Sequence, residues 1–494
     1  MDIVSGNDVL MVSPIMVLLL TGAVLMLLDA FKRYKQLPWV AAIGVLASCI
    51  IALPPVLEGM GATPVPLAMK NMMRTDATAS LVHIFLCVSG LFTLFFVGDF
   101  MKRQPAKVND IYSLLVFSLL GMVLLANAND LIMTFIGLET MSICLYVMAA
   151  MYKNDGRSNE SGLKYFLLGA FATGFFVYGI ALVYGGSGST NFSSMDFGRL
   201  ATSPLFYPGV GMLIIGFLFK VSAFPFHAWS PDVYSGTPTP LAGLMATGSK
   251  AAAFIALASF LNLHPLVMTD EGLKTVILAC AIATMVYGNI VAARQTNIKR
   301  MLAYSSIAHS GYVLLAVTCG HRGLEAVIFY MLVYTLMNIG AFGIVGMAET
   351  TSEDNSISSW KGFGRANPWL GAALSIFLFS LAGIPPLAGF MAKYFVFAAA
   401  IGDGIIVPAV IGILSSVVGA YYYINVVKAM YFDDKDHPKV VSTLDMVPLT
   451  GIALLVILIL TFGVLPSLVQ DYVSGALGNV VAMPSLPPMT GVAH

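Results

Sequence analysis

The chain has 494 residues, of which 58% are hydrophobic and 10% charged, and its 25 Lys and Arg balance 25 Asp and Glu. Soluble domains carry about 25% charged residues, so this chain cannot cover a water-facing surface of its size. A soluble multidomain enzyme, a disordered chain and a basic nucleic-acid binder are all excluded. What remains is an all-α polytopic membrane protein whose solvent is the lipid bilayer.

A bilayer core takes about 20 apolar residues per helix. With that ruler the sequence predicts fourteen spans, at roughly 9–28, 38–57, 76–100, 109–127, 130–151, 162–184, 206–225, 239–262, 273–293, 301–319, 324–347, 368–386, 405–430 and 446–468. A further stretch, 387–402, continues the twelfth span after a break. Asp2 and Asp8 precede the first span and no positive charge does, so it is expected to stay as a span and not to be cleaved as a signal. Seventeen Lys and Arg follow odd-numbered spans, from Lys32 to Lys439. Only Lys70, Arg74, Arg199, Lys274 and Arg322 follow even-numbered ones. The positive-inside rule then puts the odd loops in the cytoplasm and both termini outside.

Three positive residues are left over. Lys220, Lys250 and Lys393 lie deep in apolar segments, and among the acids only Glu139 is comparably central. Each such charge costs about 2.5–3.5 kcal/mol to insert at mid-membrane. These four are the functional signal of the chain.

FLFKVSAFP at 217–225 lines up with FLFSLAGIP at 377–385, a constant offset of 160 residues. Both read as apolar helices stopped by proline, at Pro225 and at Pro385 with Pro386. Proline removes a backbone donor and clashes with the preceding turn. Broken helices at corresponding places in two halves point to an ion site in a transporter. Five spans separate the two breaks, so the halves are expected to be inverted. The predicted organisation is a three-helix segment at 1–108, one five-helix repeat at 109–263, another at 273–432, a last helix at 446–468 and a short tail at 469–494.

Glu139 and Lys220 read either as a structural ion pair or as a pair in which the carboxylate tunes the proton on the lysine. Lysine can lose its proton, whereas arginine effectively cannot. Lys250 has no acidic residue on its own helix and reads as a proton carrier on a hydrated path. Lys393, past the second break, reads as a connection to one surface or as a lysine snorkelling from a helix end. His227 and His309 titrate near neutrality when unperturbed and are possible relays or satisfied core histidines. Lys164, at the start of the sixth span, is the weakest candidate. The five cysteines form no CxxC or Cys/His spacing, so no metal site is expected. The glycine-rich run at 185–189 lacks the Lys-Ser/Thr of a phosphate-binding loop.

KVSAFPFHAWSPDVYSGTPTPLAGLMATGSK (220–250), NIKRMLAYSSIAHSGY (297–312) and SLAGIPPLAGFMAKYFVF (380–397) resemble the antiporter-like membrane subunits of complex I, the proton-pumping NADH:quinone oxidoreductase. The resemblance spans most of 109–432. It implies fourteen helices with inverted repeats, discontinuous helices 7 and 12, and a chain of central polar residues through which protons pass. By motif position Glu139 is the glutamate of span 5, Lys220 its lysine on span 7, Lys250 the central lysine and Lys393 the outlet. The resemblance further implies a bacterial inner (plasma) membrane location and no cofactor in this chain. NADH, FMN, iron–sulfur clusters and quinone would belong to partner subunits, both peripheral and neighbouring antiporter-like ones. A short stretch after the last span and Lys393 in place of glutamate set the chain apart from two of the family's member types. A subunit of a multi-subunit Na⁺/H⁺ antiporter is the competing expectation.

Overall fold

The computed structural model describes residues 6–58, 67–104, 108–262, 270–349, 355–432 and 445–478. Within them the chain is built from helices, with one two-stranded ribbon, Leu67–Ala68 against Met73–Arg74. The expected tail at 469–494 is described only to residue 478, and Lys107, Lys435 and Lys439 lie outside the described residues.

In chain order the main helices are α1 (Ser13–Ala30), α2 (Leu37–Ile51), α3 (Ala77–Arg103), α4 (Ile111–Ala126), α5 (Leu131–Ala149) and α6 (Gly156–Ser187). Next come α7 (Phe206–Lys220), α8 (Trp229–Gly236), α9 (Thr239–Ala246), α10 (Gly248–Asn262), α11 (Glu271–Ala292) and α12 (Ile298–Val317). The series closes with α13 (Gly320–Ala348), α14 (Pro368–Ala382), α15 (Ala388–Gly402), α16 (Ile406–Phe432), α17 (Met446–Val464) and α18 (Ser467–Gly478). Ten helical stretches among the described residues are long and apolar enough to cross a membrane, and α4, α7, α14 and α15 are shorter apolar helices.

Polar caps fix where several of these helices begin. The side chains of Asp76, Asp130, Asp155, Asp270 and Asn297 accept from backbone N–H groups of the first turns of α3, α5, α6, α11 and α12. Each satisfies a donor that the helix itself cannot pair. In lipid such a donor has no water to turn to. The most apolar windows of α9–α10 and α13 are buried almost throughout, whereas those of α1, α6 and α16 are mostly on the outer surface. Lys250 therefore stands at the centre of the bundle.

The helix breaks differ from the sequence expectation in position. α7 ends at Lys220, five residues before Pro225, and α14 ends at Ala382, three before Pro385. Ser222 (φ +58°) and Gly383 (φ +88°) turn the chain into the left-handed region. Each proline then sits inside the irregular segment, because the residue before a proline already disfavours helical geometry. The expected continuous span 239–262 is also interrupted, at Thr247, with no proline to announce it. Ser467–Gly478, which overlaps the start of the expected tail, forms α18 and packs against α13 and α3.

Candidate functional site

Each of the three deep lysines is buried beside a helix interruption. Lys220 is the last residue of α7, Lys250 is the third of α10, and Lys393 lies on α15 just past the second break. Their residue exposures are 2%, 1% and 7%.

Lys220 Nζ donates to Ser142 Oγ at 2.9 Å and to Tyr165 OH at 3.2 Å. The Tyr165 ring stacks on Trp229 at 4.4 Å, and the Trp229 indole donates to the Phe219 carbonyl at the end of α7, which also accepts from the Ser222 N–H. Glu139 is not ion-paired with Lys220. Its carboxylate accepts from Thr173 Oγ1 on α6 at 2.7 Å. Beside Lys220 lies a cleft of about 10 Å³ whose lining includes Ser142 and Thr173. That is close to the smallest volume that holds a water. Hydroxyls hold both groups, Ser142 and Tyr165 on Lys220 and Thr173 on Glu139, with no ion pair between the two.

Lys250 Nζ is held by α12: Ser306 Oγ at 2.7 Å, Ser306 O at 3.2 Å and Ser310 Oγ at 3.1 Å. Thr247 and Ser249, its polar neighbours in sequence, bond instead to carbonyls of α9. Lys393 Nζ donates to the Ala382 carbonyl at 2.8 Å and to Ser416 Oγ at 2.7 Å, with Tyr312 5.4 Å from it. It closes over the end of α14 and does not snorkel from a helix end. Gly383 makes this approach possible, since a Cβ there would come within 3.0 Å of Lys393 Cδ.

His309 lies on α12 among tyrosines, with Nδ1 2.6 Å from Tyr330 OH and Nε2 3.2 Å from Tyr423 OH. His227 packs on Phe224 and Tyr287, and its Nδ1 is buried without a hydrogen-bond partner. Lys164 is not part of the buried set. It sits on the rim of a polar vestibule of about 570 Å³, paired with Glu160 at 2.6 Å and Asp232 at 2.8 Å.

Sequence reasoning missed the floor of that vestibule. Asp232 also bonds Arg300 at 2.9 Å, so it ties α6 to α12 through α8. Lys299 pairs with Glu349 at 3.5 Å and donates to the Thr237 carbonyl. Burial works to raise the Glu349 carboxyl, but the Lys299 charge and hydrogen bonds from Thr239 and Asn355 outweigh it and hold it below the usual carboxylate range. No local spacing announces Glu349.

Chemically, the lysines share one property. Their partners are hydroxyls and carbonyls, with no carboxylate in contact. A hydroxyl accepts from an ammonium and can donate to a neutral amine. Such a shell accommodates either protonation state of lysine.

Residues 128–419 match the family model described as NADH:quinone oxidoreductase/Mrp antiporter, TM. NADH-quinone oxidoreductase subunit N of Salinibacter ruber is 42% identical over 425 residues, covering 84% of this chain and 83% of the relative. A chain of respiratory complex I from Thermus thermophilus with bound aureothin superimposes with a TM-score of 0.80 at 30% identity, covering 94% of this chain and 99% of that one. A chain of the Mrp complex from a Dietzia species superimposes with a TM-score of 0.84 at 17% identity, covering 96% and 97%, a likeness of fold alone.

Proposed function

The chain belongs to the NADH:quinone oxidoreductase/Mrp antiporter transmembrane family, as a member of its subunit N type, and we propose that its buried lysines hand protons along the membrane interior. One observation carries this reading: all three deep lysines sit beside a helix interruption in a shell of neutral oxygens. A structural lysine would be expected to touch a carboxylate, because an uncompensated buried charge is strongly destabilising. A carrier needs the opposite, a site in which the proton can leave.

The order we infer is Glu139, Lys220, Lys250 and Lys393, with His309 between the last two and His227 beside the first break. Glu139 acts on Lys220 across the Thr173 cleft: its negative charge favours the ammonium form and its neutralisation favours release. The broken helices allow polar backbone at membrane depth because it lines protein and not lipid. The redox chemistry that drives the movement is assigned to partner subunits of the NADH:quinone oxidoreductase, together with its NADH, FMN, iron–sulfur and quinone sites. The excess of positive residues after odd-numbered spans supports both termini on the outer face of a bacterial inner membrane.

Glu139→Gln tests the coupling. The amide still accepts from Thr173 but carries no charge, so the assembled complex should keep its subunits while proton pumping falls at least about tenfold, the effect of roughly 1.4 kcal/mol lost from a charge interaction. Wild-type pumping, read by quenching of a pH-sensitive dye in inverted vesicles, would reduce Glu139 to a structural residue. Mass spectrometry of the native-gel band containing this chain tests the assembly. Iron–sulfur subunits in the band are expected, and antiporter subunits in their place would overturn the reading.

A further inference from the structure

Away from the lysines, a second cavity of about 490 Å³ opens on the outer side of the bundle, between α2, the end of α3 and the start of α17. We propose that this groove binds one phospholipid of the membrane, a species whose headgroup carries both a phosphate and a primary ammonium, as in phosphatidylethanolamine.

The groove has an apolar body and a charged mouth. Leu94, Phe95 and Val447 line the body, and Lys35, Lys102 and Asp445 stand at the mouth. Along α3, the eight helical steps from Leu94 to Lys102 rise about 12 Å. A single leaflet of the hydrocarbon core is about 15 Å deep, so the body has the length of one acyl layer and the mouth lies at headgroup level. Trp39 and Tyr34 flank that mouth and are 68% and 43% exposed. Their amphipathic rings suit the membrane–water boundary. Gly98 widens the body: a Cβ added there meets no atom within 4 Å.

The charges choose the headgroup. Asp99, on the wall, is buried and held by Arg103 at 2.9 and 3.2 Å, so it is not available to a ligand. Lys102 and Asp445 form an exposed pair, and Lys35 is exposed and makes no ion pair among the described residues. An exposed pair of this kind is worth little by itself, so it can open toward a ligand. A phosphodiester between Lys35 and Lys102 would then leave Asp445 facing the neighbouring ammonium. A purely anionic headgroup would meet the Asp445 carboxylate with no cation of its own.

A phosphatidylethanolamine with a photoactivatable acyl chain, added to membranes that contain the whole complex, tests this. Cross-links mapped by mass spectrometry should fall on 94–102 and 34–42 of this chain. Gly98→Leu fills open space on the groove floor and touches none of the proton-carrying residues. It should cut labelling about tenfold, as expected when a few buried methylenes of the lipid are displaced. In the unaltered complex, unlabelled phosphatidylethanolamine should compete better than phosphatidylglycerol, and Asp445→Asn should erase that preference. Equal labelling in Gly98→Leu would overturn the site, and stronger competition by phosphatidylglycerol would overturn the headgroup. Labelling confined to other subunits, with none on 34–42 or 94–102 of this chain, would likewise overturn the site.

Discussion

Lys250 is anchored by three contacts from two serines, Ser306 and Ser310, and that arrangement distinguishes a fixed charge from a carrier. Arginine would keep the positive charge but cannot give up its proton in a protein. We expect Lys250→Arg to lose pumping about as severely as Lys250→Ala, measured in vesicles after assembly has been checked. Pumping restored by Arg but not by Ala would make Lys250 an electrostatic element only. Glu349 invites a different test, because its carboxyl is held low by Lys299. A depressed carboxylate contributes stability that is fully present above the ordinary carboxylate range and is lost as pH falls through its lowered value. Glu349→Gln should therefore cost about 1–3 kcal/mol near neutrality, seen as a lower midpoint in thermal unfolding of the purified complex. Wild type and variant should converge in acid. A difference that stays constant with pH would mean that charge is not its source.

Among the elements, the break between α14 and α15 depends on one residue. Gly383 takes a φ of +88°, which L side chains rarely adopt, and its missing Cβ leaves room for the Lys393 stem. Gly383→Ala should strain the turn and push Nζ away from the Ala382 carbonyl, reducing pumping several-fold through an effect of about 1 kcal/mol or more, with assembly retained. Unchanged pumping would show that the Lys393 contact is dispensable. The prolines near these breaks were legible in the sequence, but the turn residues Ser222 and Gly383, where the chain actually leaves the helix, were not. Proline is a stop signal of uncertain reach, and only the three-dimensional path shows which residue takes the left-handed conformation. The interruption at Thr247 had no such signal. A related regularity links the two halves. α4 and α5 approach so closely that a Cβ on Gly121 would lie 2.3 Å from the Met141 nitrogen, and α11 and α12 so closely that one on Gly288 would lie 2.5 Å from the Ala308 nitrogen. These are the first two helices of each expected repeat.

On the scale of the whole molecule, the membrane character and the four central charges could be read from composition and subtraction, because lipid penalises charge so heavily that each survivor stands out. Their partners could not. Ser142, Tyr165, Ser306, Ser310 and Ser416 are ordinary residues of apolar helices, and only packing brings them to a lysine. The expected contact between Glu139 and Lys220 became a relation across Thr173 for the same reason: depth in a span gives the level of a charge but not its direction. That leaves the order of the lysines to be tested. His309 shares α12 with Ser306 and Ser310, which hold Lys250, and bonds Tyr423 on α16, the helix that also carries the Lys393 partner Ser416, the placement behind the proposed order. Steps in series give a distinctive result when two are removed together, since mutations in one coupled unit are not additive. Lys250→Ala with Lys393→Ala should pump no worse than the poorer of the two single variants. Two independent exits would give the other result, a double loss near the product of the single ones. The measurement needs the assembled complex, both single variants and the double variant in the same vesicles, with proton uptake and quinone reduction followed together. Residual pumping in the double variant far below either single one, at equal assembly, would separate Lys250 from Lys393 and remove His309 from between them.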